Sequence, residues 1–341
     1  MPEPTTTSVV TVREGDVGRI ILDRSHALNA LDLPMVRQIR AALEEWRHQP
    51  PRAVTIESST PGAFCAGGDI RQVRQNTLDG THDASIEFFT TEYAVNLMLA
   101  SYPVPVVALI DGLCLGGGMG LSMHGPFRVV TERASLAMPE TAIGFFTDVG
   151  ASHFLSRLPG GVGAYLGLTG ARVGAVDSCV IGLATHLVAT DEIGRIPGLL
   201  AQDGRPVDVI LRELGSTAIE AAPLAENRVR IDHAFTGSTL EAIRRRLDCD
   251  GSQWAHDTAQ LLDRMSPQSL RVTLDLILWG RQRSLSECLD AELEVARRVI
   301  RTPDFIEGVR AALVDKDRTP RWSASEYLGT HSDGSTQWAD S

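Results

Sequence analysis

The stretch that decides the fold is Val104-Pro105-Val106-Val107-Ala108-Leu109-Ile110-Asp111-Gly112-Leu113-Cys114-Leu115-Gly116-Gly117-Gly118-Met119-Gly120-Leu121. Residues 104–110 are a continuous apolar, β-branched run, the pattern of a strand buried on both faces. Asp111-Gly112 ends it. Gly116-Gly117-Gly118 then opens a small-residue helix that runs to about His124. Helical glycine costs about 1 kcal/mol relative to alanine, so three in a row imply a compensating reason. That reason is close helix packing, or backbone N–H groups aimed at a ligand. No Gly-Lys-Ser/Thr follows, so the segment is not a nucleotide P-loop.

Working outward, a long helix is expected over residues 84–100 and a short apolar strand over 53–57, with a small-residue loop at 58–68. Before these, Asp32 can cap a helix with Pro34 in its first turn and Val36, Ile39, Leu43 and Trp46 at helical spacing. Residues 9–12 and 19–22 alternate around Glu14-Gly15-Asp16 as a hairpin. On the other side, residues 127–131 and 134–137 read as strands. The order strand, helix, strand, helix, strand is an α/β pattern with a parallel sheet. After about residue 150 the pattern is mostly helical, with short helices expected over 149–158, 161–168 and 175–181. Residues 191–235 hold several Pro and Gly and are expected to pack loosely. Residues 236–315 carry helix-like segments rich in Arg and Glu.

Composition bounds the function. The 341 residues are 43% hydrophobic and 22% charged, which is ordinary globular usage and excludes disorder for most of the chain. A chain of this length buries roughly three quarters of its unfolded surface and needs no covalent staple. The formal net charge of −11 argues against a nucleic-acid binder, though not against a local basic pocket for a phosphate. Five scattered cysteines without a CxxC pair argue against a disulfide framework and against a zinc site. The amino terminus has no basic region followed by an apolar stretch, and no run of about 18 apolar residues occurs. A reduced, cytoplasmic, soluble protein without a membrane span is therefore expected.

Three segments could carry chemistry. In Gly62-Ala63-Phe64-Cys65-Ala66-Gly67-Gly68-Asp69-Ile70, free N–H groups at a helix start can bind an anion or a polarised carbonyl; the plainer reading is a tight strand-to-helix turn. The glycine run 116–118 is the second. In Met138-Pro139-Glu140-Thr141-Ala142-Ile143-Gly144-Phe145-Phe146-Thr147-Asp148-Val149-Gly150, two carboxyls stand eight residues apart among apolar and aromatic neighbours. Such a setting raises a carboxyl pKa and suits proton transfer near neutrality. The plainer readings are a helix N-cap for Asp148 and an exposed strand end for Glu140. Cys65 has no local histidine and reads as a small packed residue. His153 and His186 read as structural, and Arg244-Arg245-Arg246 as a solvated helix face.

Together these segments, with Leu28-Asn29-Ala30-Leu31 before them, resemble the crotonase superfamily, the enoyl-CoA hydratase/isomerase fold. Within it the chain is similar to the hydroxyacyl-CoA hydrolases. The features are Phe88-Phe89 with Glu92-Tyr93, the run 137–144, Asp148-Val149-Gly150, Leu168-Thr169-Gly170, residues 182–186, residues 305–311 and Asp315-Lys316-Asp317 with Pro320 and Trp322. The likeness covers about residues 8–328. It implies a spiral core of ββα units over 8–235, a helical C-terminal region over 236–328 that covers the active site, and a flexible tail over 329–341.

The resemblance also implies an acyl-CoA substrate, with CoA as the substrate's handle and no separate cofactor or metal. The thioester oxygen would lie between the N–H groups of Gly68 and Gly117, beside Ala66. Glu140 maps to the catalytic glutamate, Asp148 to the hydrolases' second carboxylate, and Glu92 to an acidic residue of the substrate pocket. Arginines near the N-terminal motif, such as Arg24, would meet the CoA phosphates. Hydratases of this superfamily carry a second catalytic glutamate where Gly120 stands here. The expectation is thus a thioester hydrolase for a short, branched 3-hydroxyacyl chain, as in valine breakdown. The alternatives are a hydratase/isomerase using Glu140 and a non-catalytic CoA-binding protein. One departure is Thr147, where the hydrolases carry proline; it frees a backbone N–H and adds a hydroxyl. Homo-oligomers are common in the superfamily, and the C-terminal extension leaves the assembly of this chain open.

Overall fold

The computed structural model describes residues 8–215 and 222–323; the expected tail at 329–341 lies outside the described residues. These fall into two units, each assembled from separated stretches. The first draws on Met1–Gly68, Ala94–Leu136 and Val173–Ala222, and the second on Asp69–Tyr93, Ala137–Arg172 and Pro223–Ser341. The division follows contacts rather than chain order, unlike the boundary expected at 235/236.

Among the described residues there are ten strands, all in the first unit except the last residue of the eighth: β1 (Val9–Glu14), β2 (Val17–Leu22), β3 (Ala53–Ser58), β4 (Ala63–Cys65), β5 (Val106–Ile110), β6 (Leu113–Leu115), β7 (Phe127–Thr131), β8 (Ser135–Ala137), β9 (Val173–Gly174) and β10 (His186–Val188). One sheet of six runs β1-β2-β3-β5-β7-β10 and one of four runs β4-β6-β8-β9. The β1–β2 hairpin is antiparallel, and β2, β3, β5, β7 and β10 are parallel neighbours. Every residue of β5 is buried, as its unbroken apolar run requires. The helix Leu33–His48 starts as its sequence predicts, with Asp32 accepting from the Met35 N–H at 2.9 Å.

The expectation of loose packing over 191–235 is corrected where that stretch is described. Ile196, Leu200, Val207, Ile210 and Leu211 are buried in one cluster with Val17, Ala53, Val107, Leu109, Val129 and Val188 of the six-stranded sheet. The Pro and Gly residues separate short helices (Ile196–Gln202 and Val207–Leu214) whose apolar faces cover the sheet. Arg52 ties the end of the first of these helices down by donating to the carbonyls of Leu200, Asp203 and Arg205.

The second unit is helical. Its long helices are Leu240–Asp250, Gln253–Leu262, Pro267–Gly280 and Leu285–Val299, followed by Pro303–Val309. The helix His82–Ala100 enters it through residue Tyr93. Phe145 centres an aromatic core, with Phe89 stacked at 5.5 Å, Phe146 at 4.6 Å and Phe305 at 5.7 Å. Gly144, at φ +71°, lies so close to the Asp304 carbonyl that any Cβ would collide with it. Only glycine satisfies both demands.

Candidate active site

The glycine loops of the first unit are built against one another. β4 and β6 run parallel, with Ala63 opposite Leu113 and Cys65 opposite Cys114. Leu113 N–H donates to the Gly62 carbonyl at 3.0 Å and Leu31 N–H to the Gly67 carbonyl at 2.8 Å. A Cβ on Gly67 would lie 3.6 Å from the Leu115 oxygen and 3.9 Å from the Gly117 nitrogen, so the two loops meet at backbone distance. A side chain on Gly118 would press into Cys65, which is why the helix Gly117–Met123 tolerates its glycines. Gly117 is the first residue of that helix, so its N–H has no partner within it. Among the described residues, Gly68 N–H has no acceptor either. Two donors free to serve one oxygen are what an oxyanion requires. Ala66 lies in the same loop, but its N–H donates to the Leu28 carbonyl at 3.0 Å.

Asn29, part of the Leu28-Asn29-Ala30-Leu31 motif but given no role there, organises the first loop. It is fully buried, in the left-handed region at φ +57°. Its amide nitrogen donates to Ser58 Oγ at 2.7 Å and to the Phe64 carbonyl at 3.0 Å; its oxygen accepts from Arg24 N–H at 2.8 Å and Thr60 Oγ1 at 3.2 Å. Arg24 itself donates to the Ala30 carbonyl at 2.8 Å and stands 3.6 Å from Asp32. Cys65 is packed, its thiol on the Asn29 carbonyl at 3.1 Å.

The second unit brings Glu92, Glu140 and Asp148 together, with Tyr93 and Glu292. All five are buried, and none of the four acids has an ion-pair partner among the described residues. Glu140 opens a short 3-10 turn, Glu140–Ile143, and is only 7% exposed. The plain reading of an exposed strand end is therefore wrong. Among the described residues its Oε2 has no hydrogen-bond partner, and neither has Oε1 of Glu92. Asp148 is no N-cap: the next helix is Ala151–Phe154, with Gly150 at its cap. The Asp148 carboxylate instead accepts from the Tyr93 hydroxyl at 2.7 Å.

Burial raises these acids. Glu140 and Glu92 are pushed well above the usual carboxyl range by loss of water, and the charge of Asp148 pushes them further. Asp148 is raised by burial against the opposing pull of the Tyr93 hydrogen bond. Glu292 is pushed up to about 8 by burial, although the Ser152 and Gly150 hydrogen bonds favour its charged form. Buried carboxyls poised this way can exchange protons near neutral pH.

The loop that carries Asp148 is strained and clamped. Val149 has φ +55°, an outlier for a β-branched residue worth about 1–3 kcal/mol. Directly after it, Gly150 N–H donates to Glu292 Oε2 at 2.6 Å, and Ser152 donates its N–H (3.0 Å) and hydroxyl (2.6 Å) to Glu292 Oε1. Thr147 N–H donates to Thr273 Oγ1 at 3.4 Å, while its own hydroxyl is buried without a partner. Gly280 approaches Ser152 too closely for a side chain. Glu292 was not singled out in the sequence, where it reads as one more acid of an amphipathic helix. Its signal would have been a glutamate at a core-facing position.

The description Enoyl-CoA hydratase/isomerase belongs to the family model that matches residues 17–334. The chain is 42% identical over 319 residues to the mitochondrial 3-hydroxyisobutyryl-CoA hydrolase of Xenopus laevis, covering 91% of this chain and 83% of that one. It is 39% identical over 327 residues to the human protein of the same name, covering 93% and 84%. Two solved structures superpose closely. A carnitinyl-CoA dehydratase from Mycobacterium thermoresistibile gives a TM-score of 0.87 at 34% identity, covering 96% of this chain and 94% of that one. An enoyl-CoA hydratase from Rhodobacter sphaeroides gives 0.86 at 37%, covering 96% and 95%. The cytoplasmic expectation is corrected by these relatives, whose names place them in the mitochondrion; free thiols fit any reducing compartment and do not select the cytosol. The α/β class expected from the order of strands and helices stands, and by the family match and these relatives the chain belongs to the enoyl-CoA hydratase/isomerase family.

Proposed function

We propose that this chain hydrolyses the thioester of a short, branched 3-hydroxyacyl-CoA, with 3-hydroxyisobutyryl-CoA the first substrate to test. The observation that carries the reading is the buried acid cluster, in which Glu140 presents an unsatisfied carboxyl oxygen with Asp148 and Glu92 as neighbours. The names of the curated relatives support it. Gly120 supports it too, because it leaves the family's usual second hydratase acid absent.

The chemistry needs two things. The carbonyl oxygen must be stabilised as it becomes an oxyanion, which the free N–H groups of Gly68 and Gly117 are suited to do; such a donor is worth about 3–4 kcal/mol. A nucleophile must reach the acyl carbon, and Glu140 either activates water for this or itself attacks. In one route its carboxylate takes a proton from water as the water oxygen bonds to the acyl carbon. The C–S bond then breaks, and the proton passes to the departing sulfur. In the other, the Glu140 carboxylate attacks the acyl carbon, the C–S bond breaks to release the CoA thiolate, and water cleaves the resulting anhydride, one of its protons going to the thiolate. Both release the free acid and CoA. Asp148 receives the substrate's 3-hydroxyl, Glu92 contacts the hydroxyacyl end, and Ala66 lines the loop beside the thioester. No cofactor beyond the CoA of the substrate enters either route.

The test is CoA release from 3-hydroxyisobutyryl-CoA, followed with a thiol reagent beside a crotonyl-CoA hydration control. Rapid release that Glu140→Gln abolishes is the expected result. Hydration or double-bond migration without CoA release would assign the chain to the hydratase/isomerase branch. Binding of acyl-CoA without turnover would make it a CoA-binding protein.

A further inference from the structure

We infer that Glu292 is a positioning residue: through the Gly150 and Ser152 amides it holds Val149 in its left-handed conformation and so fixes where the Asp148 carboxylate points. The inference rests on the proposed role of Asp148. Three observations carry it. Both oxygens of the Glu292 carboxyl are engaged by one short segment, Gly150 N–H on Oε2 and the Ser152 N–H and hydroxyl on Oε1, at 2.6–3.0 Å. The segment begins immediately after Val149, whose φ of +55° a β-branched residue adopts only when its surroundings compel it. And Asp148, one residue earlier, is held at its far end by the Tyr93 hydroxyl, so its direction is set from both sides.

Glu292 is fully buried and comes from a different element, the helix Leu285–Val299. A helix turn that only needed capping would not require a buried acid with both oxygens occupied. Glutamine cannot replace it, because its NH2 group would face an N–H donor. The start of the same helix is capped separately, by Ser284 and Glu287.

The experiment compares wild type, Glu292→Gln, Val149→Gly and the double variant, with kcat and KM for CoA release measured beside amide hydrogen exchange. Glu292→Gln is expected to lower kcat at least tenfold with KM changed less than threefold, and to speed exchange at residues 150–154. Glycine at 149 removes the strain that the clamp opposes, so the double variant should recover kcat severalfold over Glu292→Gln alone. A general loss of packing would not be rescued this way. Equal effects of Val149→Gly in both backgrounds, or unchanged exchange at 150–154 in Glu292→Gln, would overturn the inference. If Glu292→Gln does not fold, Ser152→Ala removes one of the three donors and replaces it in the same comparison. If the wild type releases no CoA, the functional reading fails, while the exchange measurement still decides whether the clamp exists.

Discussion

The Tyr93 hydroxyl donates to Asp148 Oδ2 at 2.7 Å across 55 residues of chain, and both side chains are buried. This bond is what favours the charged form of Asp148 in a setting that otherwise disfavours it. Removing the hydroxyl should therefore raise the Asp148 pKa further. A hydrogen bond to a charged group is worth about 1.5–3 kcal/mol, so in Tyr93→Phe the acid limb of the kcat/KM profile should move up by about one to two pH units. A profile that superposes on the wild type would show that Asp148 does not act as a carboxylate.

Stability should fall as pH rises through neutrality. Glu292 ionises at about 8 when folded, against 4.5 for an ordinary glutamate. Between these values the folded chain holds a proton that the unfolded chain has lost. Raising the pH across that window thus favours unfolding. Glu140 and Glu92, also raised by burial, act in the same direction. Glu292→Gln carries no titrating proton, so its slope of stability with pH should be shallower by up to about 1.4 kcal/mol per pH unit. Urea denaturation at pH 5, 6.5 and 8 measures both slopes; identical slopes would contradict the assignment.

Much of this arrangement is legible in the chain, and for specific reasons. The strand Val106–Ile110 and the helix Leu33–His48 are visible because burial and capping are local. The packing of 191–215 was misjudged because Pro and Gly mark breaks between helices without saying what their apolar faces meet. Glu140 and Asp148 could be singled out by their apolar neighbours. Glu292 stands on the apolar face of its helix with Cys288, Leu289, Val295 and Ala296, which marks it as buried; what no local pattern shows is its partner Gly150, 142 residues away. The left-handed Val149 likewise displaced the next helix start to Ala151, so the cap expected at Asp148 does not form.

Asn29→Ala should loosen the first glycine loop. The change removes five side-chain hydrogen bonds, among them those with the Arg24 N–H and the Phe64 carbonyl. Each buried orphan costs about 1–3 kcal/mol, so a loss of roughly 3 kcal/mol or more is expected. Urea denaturation measures it, and a loss under about 1 kcal/mol would mean the loop holds itself.

Gly144→Ala tests the close approach of the helix Pro303–Val309. Its Cβ would collide with the Asp304 carbonyl from a backbone at φ +71°. Backbone cannot retreat as a side-chain end can, so destabilisation on the order of 3 kcal/mol is expected. A melting temperature unchanged from wild type would mean that the helix shifts freely.

The three stretches that build the acid-bearing unit also order its appearance during synthesis. Asp148 leaves the ribosome long before Glu292, and closing a loop of 142 residues is a late, entropically costly event. A nascent or truncated chain that stops short of Glu292 would hold every residue of the glycine loops and the carboxyls Glu92, Glu140 and Asp148, yet lack the one that keeps Val149 in place. On the proposed roles, such a chain would have the parts for hydrolysis without the activity. Competence to cleave thioesters would then arrive only with the last helices, after most of the polypeptide has already been made.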